Sequence, residues 1–302
     1  MIATRRQFLK NGSLALAGTM LLDNNVFARK KTGMITGIQL YSVRDAMTAN
    51  PMDTLQKVSM MGYTQVEHAN YVDRKFYGFT PVEFKKILLD LGLNMPSGHT
   101  VMGKEHWDAD KKQFTDKWKQ TVEDAAIVGQ EFVISPWLDA SLRTTYDDLL
   151  RYMEVFNKSG ELCQQSGMKF GYHNHDFEFS QQFNGKSVFD IILTNTDPTL
   201  VIQQLDMGNL YNGGAKAVDV IKKYPGRFAS LHVKDEITAK SGGEKYESTV
   251  LGKGIVNVKE NLDFVKKAGG TKYLIIEQEA YQGQAPMEAI KDCLAVMKKW
   301  GY

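Results

Sequence analysis

Five of the six histidines in the chain stand at or just past the ends of short apolar runs, beside other polar residues. They are His68 after Glu67, His99 after Ser97-Gly98, both histidines of Tyr172-His173-Asn174-His175, and His232 in Leu231-His232-Val233-Lys234-Asp235; only His106 lies elsewhere. Carboxylates end the neighbouring runs, in Gln204-Leu205-Asp206-Met207-Gly208-Asn209 and in Ile276-Glu277-Gln278-Glu279. A lone histidine at such a place is ordinarily a satisfied structural group. Asp206, His232 and Glu277 ending three successive runs, next to a run with two histidines, form a pattern for one divalent metal ion. Imidazole nitrogen mixed with carboxylate oxygen suits Mn²⁺, Mg²⁺, Co²⁺ or Zn²⁺. Such a cation polarises a carbonyl or holds vicinal hydroxyls, so that a carboxylate or histidine nearby can remove the adjacent C–H proton.

These residues need a scaffold that brings run ends together. Eight runs of four to eight residues, rich in β-branched and aromatic types, read as strands: 35–41, 63–67, 94–99, 132–136, 169–173, 201–206, 229–232 and 273–277. Most follow a glycine that closes the preceding helix (Gly62, Gly92, Gly129, Gly167). Helical patterns lie between them, at 53–61, from Pro81 behind a Thr80 cap, and at 146–165, 214–223, 258–267 and 287–300. Strand and helix alternating eight times predict an α/β fold, a (β/α)8 TIM barrel whose chemistry collects at the carboxyl ends of the strands. The competing open doubly wound sheet lacks the GxGxxG of its nucleotide-binding form after the first strand. No linker divides the chain, so residues 29–302 read as a single domain.

Composition narrows the partners. Thirty-seven Lys+Arg against 35 Asp+Glu give a net charge of +2, too balanced for a chain that grips nucleic-acid backbones. With 43% hydrophobic and 24% charged residues the composition is that of an ordinary globular protein. Two cysteines, Cys163 and Cys293, fall in helical patterns and read as buried small apolar groups. Residues 1–28 read as a removable leader: Arg5-Arg6 precede an apolar run from Leu14 to Leu22, and Val26-Phe27-Ala28 supplies a small-residue cleavage site. That pattern predicts twin-arginine export to the periplasm, with no membrane contact once the leader is removed. The apolar run falls well short of the ~20 helical residues that span a bilayer.

The motifs together resemble the xylose isomerase-like barrel superfamily, in particular its sugar phosphate isomerase/epimerase group. The resemblance covers the whole mature chain. It rests on Gly37-Ile38-Gln39-Leu40-Tyr41-Ser42-Val43-Arg44-Asp45, Gly62-Tyr63-Thr64-Gln65-Val66-Glu67, and the four later motifs quoted above, in order. It implies Asp206, His232 and Glu277 as ligands of one divalent metal. The group's epimerases place a Glu near the position of His173 as fourth ligand and second base, and here the nearest is Glu178. Glu178 is expected to reach back to the metal; the alternative gives that place to His173 or His175, which share a strand face. In the first case both histidines face substrate.

The expected activity is that of a metal-dependent sugar isomerase or epimerase on a keto- or aldo-sugar, with a small-molecule carbohydrate as partner and room for a homo-oligomer. Glu277 or His173 moves the proton, His175 is a further acid or base, and Lys234 stabilises the developing oxyanion. Gln39, Tyr41, Glu67, His99, Asn209 and Glu279 are expected to contact substrate. The alternative is a keto-sugar lyase or dehydratase, or an enzyme cleaving 3-keto-glycosides, reactions that begin with the same proton removal. The superfamily's DNA-repair branch fits poorly, because Asn209 and Val233-Lys234-Asp235 stand where that branch carries further metal-binding histidines. A non-catalytic carbohydrate-binding barrel would use the aromatic segment Tyr71–Phe79 as its platform; in an enzyme the same segment is a lid or a dimer contact. Gly242-Gly243 and Gly252-Lys253-Gly254 are expected to bound a loop over the site rather than to hold an anion.

Overall fold

A computed structural model describes residues 33–240 and 245–302. The leader and Gly242-Gly243 lie outside the described residues. From Met34 onward the chain forms one compact unit.

The strands are β1 Ile35–Gln39, β2 Gln65–His68, β3 Asn94–His99, β4 Phe132–Ser135, β5 Lys169–His173, β6 Val201–Asp206, β7 Ser230–Val233 and β8 Tyr273–Ile276. Each pairs in parallel with its sequence neighbours, and β1 pairs with β8 to close the barrel. The principal helices are α1 Pro51–Met61, α2 Pro81–Asp90, α3 Asp116–Val128, α4 Tyr146–Gln164, α5 Val188–Asn195, α6 Ala217–Lys223, α7 Val258–Ala268 and α8 Pro286–Trp300. Among the described residues no helix is long and apolar enough to cross a membrane.

Local chemistry sets the helix ends. Thr80 and Glu83 form a reciprocal capping box at α2, with Pro81 in the first turn, and Thr145 with Asp148 does the same at α4. At the other end Gly62 closes α1 with a φ of +97°, a backbone conformation that a side chain would strain.

Strand periodicity divides the apolar residues into two sets. Ile38, Val66, Val133, Phe170, Leu205, Leu231 and Leu274 pack under the helices in the main core, where Cys163 and Cys293 are also buried. Phe132, Ile134, Ile202, Tyr273 and Ile275 form a smaller separate cluster. These residues fill the barrel interior, and Gly171 makes room for them: a Cβ there would lie 2.8 Å from Ile134 and 3.1 Å from Ile202. Above that apolar plug the inward positions turn polar, because the next residues on the same faces are Glu67, Gln204, His173, Asp206 and His232.

After β7 the chain makes a hairpin, Asp235–Thr238 with Tyr246–Thr249. Its base is fixed by the buried Asp235 carboxylate, which accepts from the backbone N–H groups of Gly252, Gly254 and Val256. The N–H groups of Gly252 and Gly254 are thus taken up by the chain's own Asp235, at the end of the segment that carries this hairpin. In the aromatic segment Phe76 is buried and stacks on Phe84 at 5.6 Å, and Phe79 lies 6.4 Å from the same ring, while residues 72–75 are exposed.

Candidate active site

Four strand ends deliver His173, Asp206, His232 and Glu277, one from each of β5 to β8. One ligand atom from each lies within 4.8 Å of all the others, and all four residues are buried. His232 Nδ1 is 3.2 Å from Glu277 Oε2 and 3.7 Å from Asp206 Oδ2, and His173 Nε2 is 3.9 Å from the same Asp206 oxygen. Asp206 Oδ1 accepts from the Asn209 backbone N–H at 2.7 Å. Its Oδ2 is buried and has no hydrogen-bond partner among the described residues. A buried, unpartnered carboxylate oxygen is costly alone, and facing two imidazoles and a second carboxylate it matches what a divalent cation requires.

A second layer orients these groups. Glu67 is fully buried and accepts from Gln39 Nε2 at 2.8 Å, Gln204 Nε2 at 2.8 Å, His232 Nε2 at 2.6 Å and the Ser97 hydroxyl. His232 Nε2–H thus donates to a carboxylate and turns Nδ1 toward the cluster, the arrangement that fixes the tautomer of metal-binding histidines. His173 Nδ1 sits 3.1 Å from Gln204 Oε1, and with that oxygen accepting, its Nε2 lone pair points into the cluster. Asn174 holds the end of β6 from the side, accepting from the Asp206 N–H at 3.0 Å and donating to the Asp206 carbonyl at 3.2 Å.

Burial and charge work against each other here. Burial pushes Glu67 upward, but the charges of His99 and His232 and their hydrogen bonds hold it well below the usual carboxylate range. For His232 burial acts downward and is outweighed by Glu277 and Glu67, which lift it to about 10. Asp206 rises to about 6 through burial, against the pull of Lys234. Lys234 is 3% exposed, and although burial disfavours its charge, Glu279, Asp206 and Glu277 hold it well above its ordinary value. Its Nζ lies 3.4 Å from Glu277 Oε2 and 3.3 Å from Asn209 Oδ1, and also bonds Glu279. Its partners are thus Glu279 and Glu277, not the adjacent Asp235 or Glu236.

The cluster opens into a cavity of about 540 Å³ lined by His99, His173, His175, Asn209, Lys234, Glu277 and Glu279. Tyr41, Val72, Val101 and Trp137 form its apolar rim and are 39–59% exposed. His175 Nδ1 is buried without a partner among the described residues, and burial, with Lys234, lowers this imidazole to about 4, so it is neutral at physiological pH.

The structure therefore brings together most of the residues expected from sequence. Tyr41, His99, Asn209, Glu279, His175 and Lys234 all face the cavity. Two expectations are corrected. Glu178 does not reach the cluster: it sits in the short helix Phe177–Ser180, fully buried, where it accepts from the Tyr172 hydroxyl and, at 2.8 Å, from the His175 N–H. The fourth member of the cluster is His173. Gln39 and Glu67, expected to contact substrate, are fully buried and are not among the residues that line the cavity. Sequence reading missed Gln204, Asn174 and Trp137 as working residues. Gln204 carried a signal, since it stands two residues before Asp206 and so shares its face; Trp137 and Asn174 carried none that periodicity could supply.

With this geometry in hand, the chain belongs to the family described as xylose isomerase-like TIM barrel, matched over residues 55–300. Among sequence relatives, an inosose dehydratase of Clostridium perfringens is 27% identical over 157 residues, 48% of this chain and 52% of the relative. One from Clostridium botulinum is 30% identical over 135 residues, 41% of this chain and 44% of that protein. The chain thus matches about half the length of these curated relatives. Among solved structures, a sugar phosphate isomerase/epimerase from Parabacteroides distasonis superposes with a TM-score of 0.74 at 26% identity, covering 88% of this chain and 98% of that one.

Proposed function

We propose that this chain is a divalent-metal-dependent enzyme that removes the proton next to the carbonyl of a keto- or aldo-sugar and returns it to give an isomer or epimer. The observation that carries the reading is the unpartnered Asp206 Oδ2 among His173, His232 and Glu277, a cluster that meets a sugar-sized cavity through His173 and Glu277. These four residues would hold the metal, which when bound supplies Lewis-acid polarisation of the carbonyl. Lys234, a buried ammonium on the cavity wall, offers a donor to the oxygen on which negative charge develops. His175, neutral and with an unpartnered Nδ1, is placed to accept and return the proton.

A second reading, elimination of water after the same proton removal, is favoured by the inosose dehydratases among the relatives. His175 would then carry the proton to the departing hydroxyl. Export through the twin-arginine pattern at Arg5-Arg6 belongs to the same proposal, and fractionation of expressing cells would test it.

Proton NMR in D₂O, with Mn²⁺-loaded protein, a panel of aldoses, ketoses and inososes, and an Asp206→Asn control, separates the readings. Deuterium entering the C–H beside the carbonyl with an isomer accumulating supports the first. Loss of water with an enone product supports the second. No exchange on any sugar, with metal bound stoichiometrically, overturns both.

A further inference from the structure

Beside the metal-facing cavity lies a second chamber of about 480 Å³. The two share a wall made by His175, Asn209, Lys234 and Glu279. The second chamber does not touch the metal cluster; its own lining includes Glu236, Asn212 and Tyr246. Each chamber is of a size that holds a small ligand, so a single monosaccharide over the cluster leaves the second one unused.

The lining polar groups ask for hydroxyl partners. Glu236 is 2% exposed, and its Oε2 has no hydrogen-bond partner among the described residues. Asn212 Oδ1, on the same lining, is also buried and unpartnered. Two buried acceptors without donors cost free energy that hydroxyl donors of a ligand would recover. Tyr246, packed edge-on against Tyr211 at 5.4 Å, adds an aromatic wall of the kind that meets the C–H face of a sugar ring. Charge disfavours an anionic occupant: Asp176, Glu247 and Glu279 line the chamber against Lys234 and Lys245, and Lys234 is already paired with Glu279.

We propose that the second chamber is a subsite for a second, neutral, hydroxyl-bearing ring, so that the substrate is a glycoside whose reacting ring lies over the metal cluster and whose other ring contacts Glu236 and Asn212. This subsite presupposes the sugar chemistry proposed above, and it commits that chemistry to unphosphorylated two-ring substrates.

Saturation-transfer NMR on the full Mg²⁺-loaded chain tests it without requiring turnover. The probes are glucose, glucose 6-phosphate, and the unreactive disaccharides cellobiose, maltose and trehalose. At least one disaccharide is expected to bind 10-fold or more tighter than glucose, with saturation on both rings, and glucose 6-phosphate to bind more weakly than glucose. Glu236→Ala and Asn212→Ala should each erase most of that advantage and the saturation of one ring. Glu236→Gln, which keeps a hydrogen-bonding group of the same shape, should retain both, provided melting temperatures show all variants folded. Disaccharides that bind no better than glucose, saturation confined to one ring in wild type, or preference for glucose 6-phosphate would overturn the subsite. If deuterium exchange on monosaccharides is seen alongside any of these, the metal-assisted chemistry stands and the subsite alone fails.

Discussion

Lys234 brings one positive charge into a site where Asp206, Glu277 and Glu279 bring three negative ones, and it does so almost wholly out of water. Removing one member of a buried charged group leaves the others uncompensated, which costs ~3–5 kcal/mol. Lys234→Met should therefore destabilise the metal-free protein by about that amount. Urea unfolding in EDTA and in excess Mn²⁺ checks this, with part of the loss recovered by the cation. Glu178 makes a second prediction. Burial raises its carboxyl to about 8 in the folded protein, against ~4.3 when unfolded. Between those values the folded chain holds the proton that the unfolded chain has released, so this group's stabilisation is complete at low pH and is lost as pH rises through 8. Glu178→Gln should flatten the decline in stability between pH 5 and pH 8.5 in urea titrations. The position of Glu178 away from the His173, Asp206, His232 and Glu277 cluster also shows what sequence could not reveal. A carboxylate five residues beyond a strand end can point anywhere, and here the turn of Phe177–Ser180 places it under Tyr172.

Elements were far more legible than side-chain aim. The β3, β5 and β6 boundaries agree with the sequence reading, because each strand is bounded by a glycine-closed helix or turn on one side and a polar run end on the other. β2 is displaced by a residue or more, since Tyr63 serves the core by donating its hydroxyl to the Ile290 carbonyl at 2.7 Å instead of pairing in the sheet. Where strands approach closely, glycine decides. A Cβ on Gly98 in β3 would fall 1.9 Å from the His68 ring of β2, which is itself packed edge-on against Phe76 at 4.8 Å. Overpacking of this kind costs ~1–3 kcal/mol or more. Gly98→Ala should lower stability by at least that in denaturant titrations, and adding His68→Ala to it should recover part of the loss, which a backbone-only effect would not.

Taken whole, the barrel binds its proposed metal in the folded state alone, since the four ligands come from four strands spread over a hundred residues of sequence. Ligand that binds only the folded form adds about 2.7 kcal/mol at 100 times its Kd. At ~2–4 °C per kcal/mol for a domain of this size, the melting temperature should rise by about 5–10 °C on addition of a saturating divalent ion. The rise should vanish in Asp206→Asn, with differential scanning fluorimetry as the measurement. An equal shift in that variant would place the cation elsewhere. The alternation of strand and helix left a closed barrel and an open doubly wound sheet as the candidates, and the pairing of β1 with β8 is what closes the barrel.

Glu67 gathers Gln39, Ser97, Gln204 and His232, which come from β1, β3, β6 and β7, onto one carboxylate beside the candidate ligand cluster. The consequence is historical as much as energetic. Any single replacement at that hub strands several donors at once, so a descendant could alter it only through coordinated changes in distant parts of the gene, a route that stepwise mutation rarely finds. The rim formed by Tyr41, Val72, Val101 and Trp137 has no such entanglement. New substrate preferences in this lineage should therefore accumulate at the mouth of the barrel, while its centre stays as it is.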